Sequence, residues 1–395
     1  MHILSVHSHY QIRGGEDECH EAEVNLLREM GHLVGVYEEN NERAVALGNL
    51  HMALRTVWSE EAHQTVRRRL TEQSYDVVHV QNFFPLLSPS VYYAAKAEGV
   101  PVVQTLHNYR ILCPNALFFR DGRVCEDCLG KSIPWPSMLH ACYRGSRPAT
   151  GVVTAMLTAH RTMHTWTEVD MYIALTEFAK QKFIDAGLPA EKIVVKPNFV
   201  HPDPSIGEGR GRYALFVGRL SPEKGIETLL AAWKLLAGKV PLKIVGDGPL
   251  ASWLTVVARQ VPGVDWLGRL PQAEVYDLMG EAAFLVFPSE WYETFGRVAI
   301  EAFAKGTPVI ASNIGAIAEL VDSGRVGLHF RPGDAEDLAA KVEWVLAHPA
   351  ELAQMRREAR IEFEAKYTAQ KNYQRLIEIY TETQALRVRT YANEY

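Results

Sequence analysis

Two carboxylates, Glu293 and Glu301, straddle a helix start in the run Pro288-Ser-Glu-Trp-Tyr-Glu293-Thr-Phe-Gly-Arg-Val-Ala-Ile-Glu301-Ala-Phe-Ala-Lys-Gly306. An apolar strand, Ala283 to Phe287, leads into this loop. The helix is expected to begin near Phe295 and Gly296, so its unpaired N–H groups and positive dipole end form an anion site. Helical rise of ~1.5 Å per residue places Glu301 about 12 Å along the axis from Glu293, enough to touch both ends of one extended ligand. A nucleotide sugar has that layout: hexose hydroxyls for one carboxylate, a diphosphate for the helix terminus, ribose hydroxyls for the other. The competing reading is a surface helix with two solvated glutamates. It is the weaker one, because ligand crevices in such sheets form at the carboxyl ends of strands, where this loop sits.

A second strand–turn–helix element reads Tyr213-Ala-Leu-Phe-Val-Gly218-Arg219-Leu-Ser-Pro222-Glu-Lys224-Gly225, followed by an amphipathic helix through Trp233 and Leu236. Arg219 and Lys224 flank a Pro/Gly turn, so both can aim at one phosphate pair, Arg as a planar fork and Lys as a mobile point charge. A basic turn alone is more often solvated. Upstream of the two-glutamate element in one run of strands and helices, it reads as the cationic half of a diphosphate clamp.

Together these two elements resemble the retaining glycosyltransferases of family 4, and the resemblance runs over nearly the whole chain. Further hallmarks are the strand Ile3 to Val6 with Gly14-Gly15-Glu16 opening a helix, and Val103-Gln-Thr-Leu-His107-Asn108 at the end of another strand. The resemblance implies an α/β chain of GT-B architecture, two facing Rossmann-like domains with a C-terminal helix crossing back to the first. It also implies roles. Gly14 and Gly15 let the backbone approach the donor phosphate and sugar, and His107 contacts the sugar near the reacting carbon. Gly218, Arg219 and Lys224 hold the diphosphate. Glu293 takes the sugar hydroxyls, Thr294, Phe295 and Gly296 the phosphate or sugar, and Glu301 the ribose.

The 395 residues suffice for two domains with full cores. With 47% hydrophobic and 22% charged residues and a formal net charge of −6, the composition is that of an ordinary globular protein and gives no global argument for nucleic-acid binding. The chain opens directly as a strand and has no uninterrupted apolar run of about 18 residues, so a cytoplasmic protein is expected.

Val- and Ile-rich strands alternate with helical patterns, which predicts mainly parallel sheets. Strands are expected near 3–6, 33–37, 77–80, 102–106, 171–175 and 193–195, with Thr176 capping a helix over 177–186 and Gly187 stopping it. The Pro- and Gly-rich stretch 198–212 reads as a linker between two domains, 1–197 and 213–365, which the resemblance implies are the acceptor-binding and the nucleotide-sugar-binding domain. In the second domain strands are expected from Tyr213 and near 242–245, 264–267, 284–287, 309–311 and 327–330. The tail from about Asp334 to Leu386 reads as helical, 366–395 being the returning helix. Gly207-Glu-Gly209-Arg-Gly211 is no cofactor loop, since it precedes a strand and lacks the G-x-G-x-x-G register. Val245-Gly-Asp-Gly-Pro249 reads as a tight strand-to-helix connection.

No Asp-x-Asp pair is present to hold a divalent ion against a diphosphate, so no cofactor is expected for catalysis. Four cysteines, Cys113, Cys125, Cys128 and Cys142, fall in an irregular insertion, 108–147. The spacing Cys125-x-x-Cys128 with two outliers offers a tetrahedral thiolate set for structural zinc; packed thiols and redox pairing are the other readings. The insertion is expected to bury little core of its own, which would give a crosslinking ion work to do. It also gathers Trp135, Tyr143, Arg110, Arg120, Arg123, Lys131, Arg144 and Arg147 against Asp121, Glu126 and Asp127. A solvated loop is one reading; the other follows from the family resemblance, which implies an acceptor on this domain, often a lipid-linked glycan at the inner membrane face, a surface that arginine with interfacial Trp suits.

The reaction expected is transfer of a hexose-type sugar from a nucleotide diphosphate donor to a hydroxyl acceptor with retention at the anomeric carbon, in glycan or exopolysaccharide synthesis. No side chain is an obvious general base. A GT-B-like phosphorylase and a non-catalytic sugar-nucleotide-binding protein are the alternatives from other classes; the first needs an orthophosphate or pyridoxal phosphate site, and no dedicated lysine pattern marks the latter, while the second could lose Glu293 or His107, yet both are present with Arg219, Lys224 and Glu301.

Overall fold

The computed structural model describes residues 1–11, 14–41 and 48–394, of which 388–394 as backbone only. Its strands, in chain order, are β1 (His2–His9), β2 (Leu33–Asn40), β3 (Val77–Asn82), β4 (Val102–Thr105), β5 (Phe119–Arg120), β6 (Arg123–Val124), β7 (Met171–Ala174) and β8 (Ile193–Val195), then β9 (Ala214–Val217), β10 (Leu242–Val245), β11 (Val264–Trp266), β12 (Phe284–Phe287), β13 (Val309–Ser312) and β14 (Gly327–Phe330). Among the described residues they form two six-stranded sheets, ordered β2-β1-β3-β4-β7-β8 and β11-β10-β9-β12-β13-β14, and the antiparallel pair β5-β6. Every pairing in the two large sheets is parallel. Both sheets have helices between their strands, and β3, β4, β7, β12 and β13 are buried at every position. Continuous apolar runs without alternation are what two-sided burial demands.

The chain divides into two compact units: 1–118 with 126–197 and 372–395, and 198–371 with 119–125. The first owns the end of the chain because the helix Ala369–Glu394 places Leu376, Ile379 and Tyr380, all 0% exposed, against Ile3, Val77, Val103 and Ile173. The i, i+3, i+4 spacing makes one apolar stripe, and each large side chain so buried contributes roughly 1.5–3 kcal/mol. The second unit's core is built around Trp233, whose indole N–H donates to the Val240 carbonyl at 2.9 Å, with Leu229, Phe284 and Phe330 around it.

Three expectations change in detail. The stretch 198–212 is laid along the second unit, with Gly207 N–H donating to Lys305 O, Gly209 N–H to Gly280 O and Gly211 N–H to Glu281 O, so its glycines serve close backbone packing. The helical tail is three helices, Ala335–Ala347, Pro349–Lys366 and Ala369–Glu394. Pro349 opens the second of them, since a proline has no N–H to lose there. The insertion does have a core: Tyr109 and Phe118 are fully buried, Tyr109 stacks on Phe183 at 5.6 Å, and Ile111 and Leu112 are buried with them. Thr176 caps its helix as expected, accepting from Ala179 N–H at 3.1 Å.

Candidate active site

In the second sheet the strand order reverses between β9 and β12, which pair only at Ala214–Phe284 and Leu215–Leu285 and then part. A crevice at the carboxyl ends of such a pair is where ligands of open α/β sheets bind. Both sequence elements end there. The turn after β9 is pressed against the end of β12: Gly225 has φ +68°, and a Cβ on it would lie 1.9 Å from the Pro288 carbonyl oxygen. From the other side Gly246, at φ +137°, lies so close that its Cβ would meet Gly218 O at 1.9 Å, while Leu220 N–H donates to Asp247 O. The Val245–Pro249 turn is thus a buttress for the Arg219 segment.

This packing brings Lys224 onto Glu293. Lys224 Nζ donates to Glu293 Oε1 at 2.5 Å, and the same oxygen accepts from Ser289 Oγ at 2.8 Å and Trp291 Nε1 at 2.9 Å. Lys224 also lies 5.3 Å from the centre of the Trp291 ring. Glu293 is 7% exposed, and three donors on one oxygen hold it in a single orientation. Arg219 behaves differently. Its side chain is 57% exposed and its guanidinium pairs with Glu223, a buried carboxylate also held by Ser221 Oγ at 2.7 Å. Burial pushes the Glu223 carboxyl up, but Ser221 and Arg219 pull it further down, so it stays ionised. The sequence reading gave Lys224 to the diphosphate and Glu293 to the sugar hydroxyls as separate contacts; the structure joins the two side chains as an ion pair.

The helix Arg297–Ala304 starts at Gly296, and no side chain caps its N-terminus. Phe295 is buried against Tyr367, ring centres 6.2 Å apart. Thr294 and Phe295 lead into that helix as expected, but Glu293 lies in the preceding loop, so a separation built on helical rise throughout does not apply to it. Glu301 is 4% exposed, paired with Arg297 Nε at 3.1 Å and accepting from Gln272 Nε2 at 3.4 Å. Neither Arg297 nor Gln272 was singled out from the sequence. Arg297 stood four residues before Glu301 on one helix face, which is the available signal.

In the first unit, Gly14 is the N-cap of the helix Gly15–Glu29, and its N–H donates to Asp17 Oδ2 at 3.0 Å. Its φ is −132° and a Cβ there would meet no atom of the described residues within 4 Å. Internal packing therefore gives no reason for glycine, whereas a ligand approaching that open face would. His107 follows β4. Its Nε2 lies 2.7 Å from Gln81 Oε1, and Gln81 Nε2 donates to Glu23 Oε1 at 2.6 Å. Lys196 Nζ donates to the other Glu23 oxygen at 3.0 Å. An ionised carboxylate only accepts, so Gln81 must turn its amide toward Glu23 and its carbonyl toward His107. Hence His107 carries its proton on Nε2 and its lone pair on Nδ1. Burial lowers the His107 pKa to about 3, keeping the ring neutral at pH 7. A small cavity beside it is lined by Phe84, Asn108, Arg110 and Ile111.

Glu23, Gln81 and Lys196 are the residues that sequence reasoning missed. Glu23 sits on the same helix face as His20, Val24 and Leu27, all buried. An acid at a core position is a signal of a buried partner, but its identity, 173 residues away, was not legible. None of the cysteines is in a disulfide, and Cys113 and Cys128 are buried. Among the described residues the one set of three or more His, Cys, Asp or Glu side chains with ligand atoms within 4.8 Å of one another is His7, His9 and His20. The cysteines form no such set, so zinc there would require the sulfurs to draw together.

Comparison with known proteins agrees with this arrangement. The model of "Glycosyltransferase Family 4" matches residues 20–204, and that of "Glycosyl transferases group 1" matches 203–362. The chain is 40% identical over 152 residues to a glycogen synthase of Mycobacterium tuberculosis, covering 37% of this chain and 36% of that one. It is 32% identical over 218 residues to an uncharacterized glycosyltransferase of Methanocaldococcus jannaschii, covering 55% and 60%. The chain thus matches less than two thirds of the length of either relative. Among solved structures, Anabaena HepE in complex with UDP-glucose superposes with TM-score 0.68 at 20% identity, covering 97% of this chain and all of that one. Sucrose-phosphate synthase of Thermosynechococcus elongatus gives 0.69 at 18% identity, covering 97% and 99%; these two likenesses establish the fold. With two family models end to end over 20–362 and two Rossmann-like units of GT-B type, the chain belongs to the family 4 glycosyltransferases.

Proposed function

We propose that the protein moves a hexose-type sugar from a nucleotide diphosphate donor to a hydroxyl acceptor with retention at the anomeric carbon. One observation carries this reading: Lys224, Glu293 and an uncapped helix N-terminus converge at the switch point of the second sheet, with buried Glu301 on the first turns of that helix. Arg219, Lys224 and the helix N–H groups stabilise the departing diphosphate, an electrostatic contribution realised where charge develops. Glu293 orients the sugar through its hydroxyls, and Glu301 holds the ribose. His107 accepts from a sugar hydroxyl through Nδ1. With no side chain placed as general base, the leaving phosphate oxygen takes the acceptor proton. The HepE complex with UDP-glucose and the relationship to a GDP-mannose-dependent mannosyltransferase of Corynebacterium glutamicum, 36% identical over 147 residues, support a nucleotide-sugar donor without choosing its base. Incubation with UDP-, GDP-, ADP- and dTDP-sugars tests it: one class is expected to raise the melting temperature and undergo slow hydrolysis. Excess EDTA should leave turnover intact at once, because no ion is asked to hold the diphosphate. No stabilisation by any of the four overturns the reading, and abrupt Mg-reversible loss would reveal a catalytic ion.

The acceptor we propose is a glycan or lipid-linked glycan of cell-surface or exopolysaccharide synthesis, met at the cytoplasmic face of a membrane. No helix among the described residues is long and apolar enough to cross one. The insertion instead exposes Ile133, Trp135, Met138 and Leu139 at 52%, 54%, 44% and 62%, with Lys131, Arg144 and Arg147 exposed nearby in sequence. Apolar side chains with neighbouring cations suit an anionic lipid surface. Flotation with vesicles containing anionic lipid should recover the protein, and the Trp135→Ser/Leu139→Ser variant should lose most of that binding; equal recovery of both would remove the membrane from the proposal.

A further inference from the structure

The face of the first sheet covered by the helix Gly15–Glu29 carries a cluster that the reaction does not use. His7 and His9 are two residues apart on β1 and so point to the same side. Glu38 is in register with His7 on the adjacent parallel strand β2, which puts it on that side as well. The helix above contributes Asp17 and His20, one turn apart. The rings of His7 and His9 meet edge to face at 4.7 Å, and those of His7 and His20 stack at 4.3 Å. One ring nitrogen from each of the three lies within 4.8 Å of the others.

The hydrogen bonding of this cluster does not close. Asp17 is occupied: its Oδ1 lies 2.9 Å from His7 Nε2 and 3.3 Å from both His9 Nδ1 and the Tyr10 N–H, and its Oδ2 accepts from Gly14 N–H. His7 Nε2 is therefore the protonated nitrogen, and Nδ1 carries a lone pair. That Nδ1 is buried with no hydrogen-bond partner among the described residues, in a side chain 0% exposed. His20 Nε2 bonds Ser5 Oγ at 2.9 Å, while its Nδ1, also buried, has no hydrogen-bond partner among the described residues and lies 3.6 Å from Glu38 Oε1. His9 faces carboxylates through both nitrogens, Nδ1 toward Asp17 and Nε2 toward Glu38, each at 3.3 Å. Two orphaned buried nitrogens beside a carboxylate, with the third ring nitrogen within 4.8 Å, are a donor set that one cation can satisfy.

We propose that His7, His9 and His20, with Glu38 as fourth ligand, bind a transition-metal dication of the zinc class, Asp17 being the outer partner that holds the His7 ring. Imidazole-rich sets with one carboxylate suit such ions, and a carboxylate on the far nitrogen of a ligating histidine fixes its tautomer and raises its basicity. Zn–N bonds of about 2.0–2.1 Å draw tetrahedral nitrogens to roughly 3.4 Å apart, so the cluster must close slightly. In-plane lone pairs of two parallel rings do not converge; His20 turns about its Cβ–Cγ bond out of the stack toward Glu38, giving up Ser5. His9 and Glu38, 24% and 42% exposed, leave the entry path open. The ion would tie the carboxyl ends of β1 and β2 to the helix whose N-cap is Gly14. This inference is independent of the proposed transfer reaction.

Cobalt(II) titration of the chelator-treated full-length chain tests it, with zinc competition and elemental analysis. One equivalent is expected to bind with visible d–d absorption and no thiolate charge-transfer band, and zinc should raise the melting temperature. His9→Ala and Glu38→Gln, at partly exposed positions, should each weaken cobalt binding by at least about tenfold, while Cys128→Ser leaves it unchanged. Failure of the wild type to bind either ion at micromolar concentration overturns the proposal. So does a thiolate-bound spectrum abolished by Cys128→Ser, or wild-type affinity in both His9→Ala and Glu38→Gln.

Discussion

Lys224→Ala is expected to lower kcat/KM for the donor by about 30- to 1000-fold, which is ~2–4 kcal/mol of transition-state stabilisation. The lysine serves twice. It is a cation at the switch point where we propose that the diphosphate binds, and it is one of the donors that hold Glu293 Oε1, alongside Ser289 and Trp291. Arg219→Ala should act in the same direction, but its exposed side chain pairs with Glu223 and not with Glu293. The two glutamates should separate. Glu293→Gln keeps shape but weakens hydroxyl orientation, so turnover falls with little change in affinity for the bare nucleoside diphosphate. Glu301→Gln, by contrast, should weaken that affinity and leave less of a mark on turnover. Calorimetry with the nucleoside diphosphate and steady-state kinetics with the sugar donor check both. Near-normal turnover in Lys224→Ala and Arg219→Ala, or equal loss of nucleotide affinity in the two glutamate variants, would sink the assignment.

Lys196→Met should destabilise the first unit by roughly 3–5 kcal/mol, because removing one member of a buried pair leaves the other charge uncompensated. Lys196 and Glu23 have side chains 2% and 8% exposed. Burial pushes the Glu23 carboxyl up, but Lys196 and then His79 pull it down to about 2, so it is ionised throughout the working range. For a unit of about 200 residues the melting temperature should fall on the order of 10 °C. The double variant Glu23→Gln/Lys196→Met should recover much of that, since no buried charge remains. Full stability of the single variant would show that the pair is not needed.

The pH dependence has a definite sign. Glu23, depressed in the folded state, contributes stability present above the ordinary carboxyl pKa near 4.5 and lost as pH falls toward 2. Burial lowers His79 to about 4 and His107 to about 3, so these rings stay neutral when folded while the unfolded chain takes up protons below 6.5. That window also costs stability on acidification. In Lys196→Met the Glu23 pKa rises instead. The deficit of the variant relative to wild type should then be larger at pH 7 than near pH 5, as thermal melts at the two values can read.

Much of the architecture was legible in local pattern. β10, β12 and β14 fall on the residues expected for them, and Thr176 caps the helix that it precedes. These features depend on neighbours within a few residues, where propensity, alternation and capping chemistry act. The site elements were legible for the same reason: a strand, a short polar loop and a helix start are consecutive, and the helix at Gly296 begins where its sequence says. The expected spacing of Glu293 from Glu301 failed at the one point where it relied on regular helix through a loop.

What the sequence determined by itself, then, was the succession of strands and helices and the family to which Gly14, His107, Arg219, Lys224, Glu293 and Glu301 pointed. Only tertiary structure decided which charges meet. The Lys224–Glu293 pair joins residues 69 apart and Lys196–Glu23 residues 173 apart. Such pairs are set by strand order, β12 lying beside β9 and not beside β11. The insertion makes the same point, since its Pro- and Gly-rich text suggested little core while Tyr109 and Phe118 are fully buried. A one-dimensional pattern records which side chains can be buried or charged. Whether a buried charge finds its counter-ion depends on long-range packing, because Coulombic and hydrogen-bond energies are decided over a few ångströms in space and carry no period along the chain.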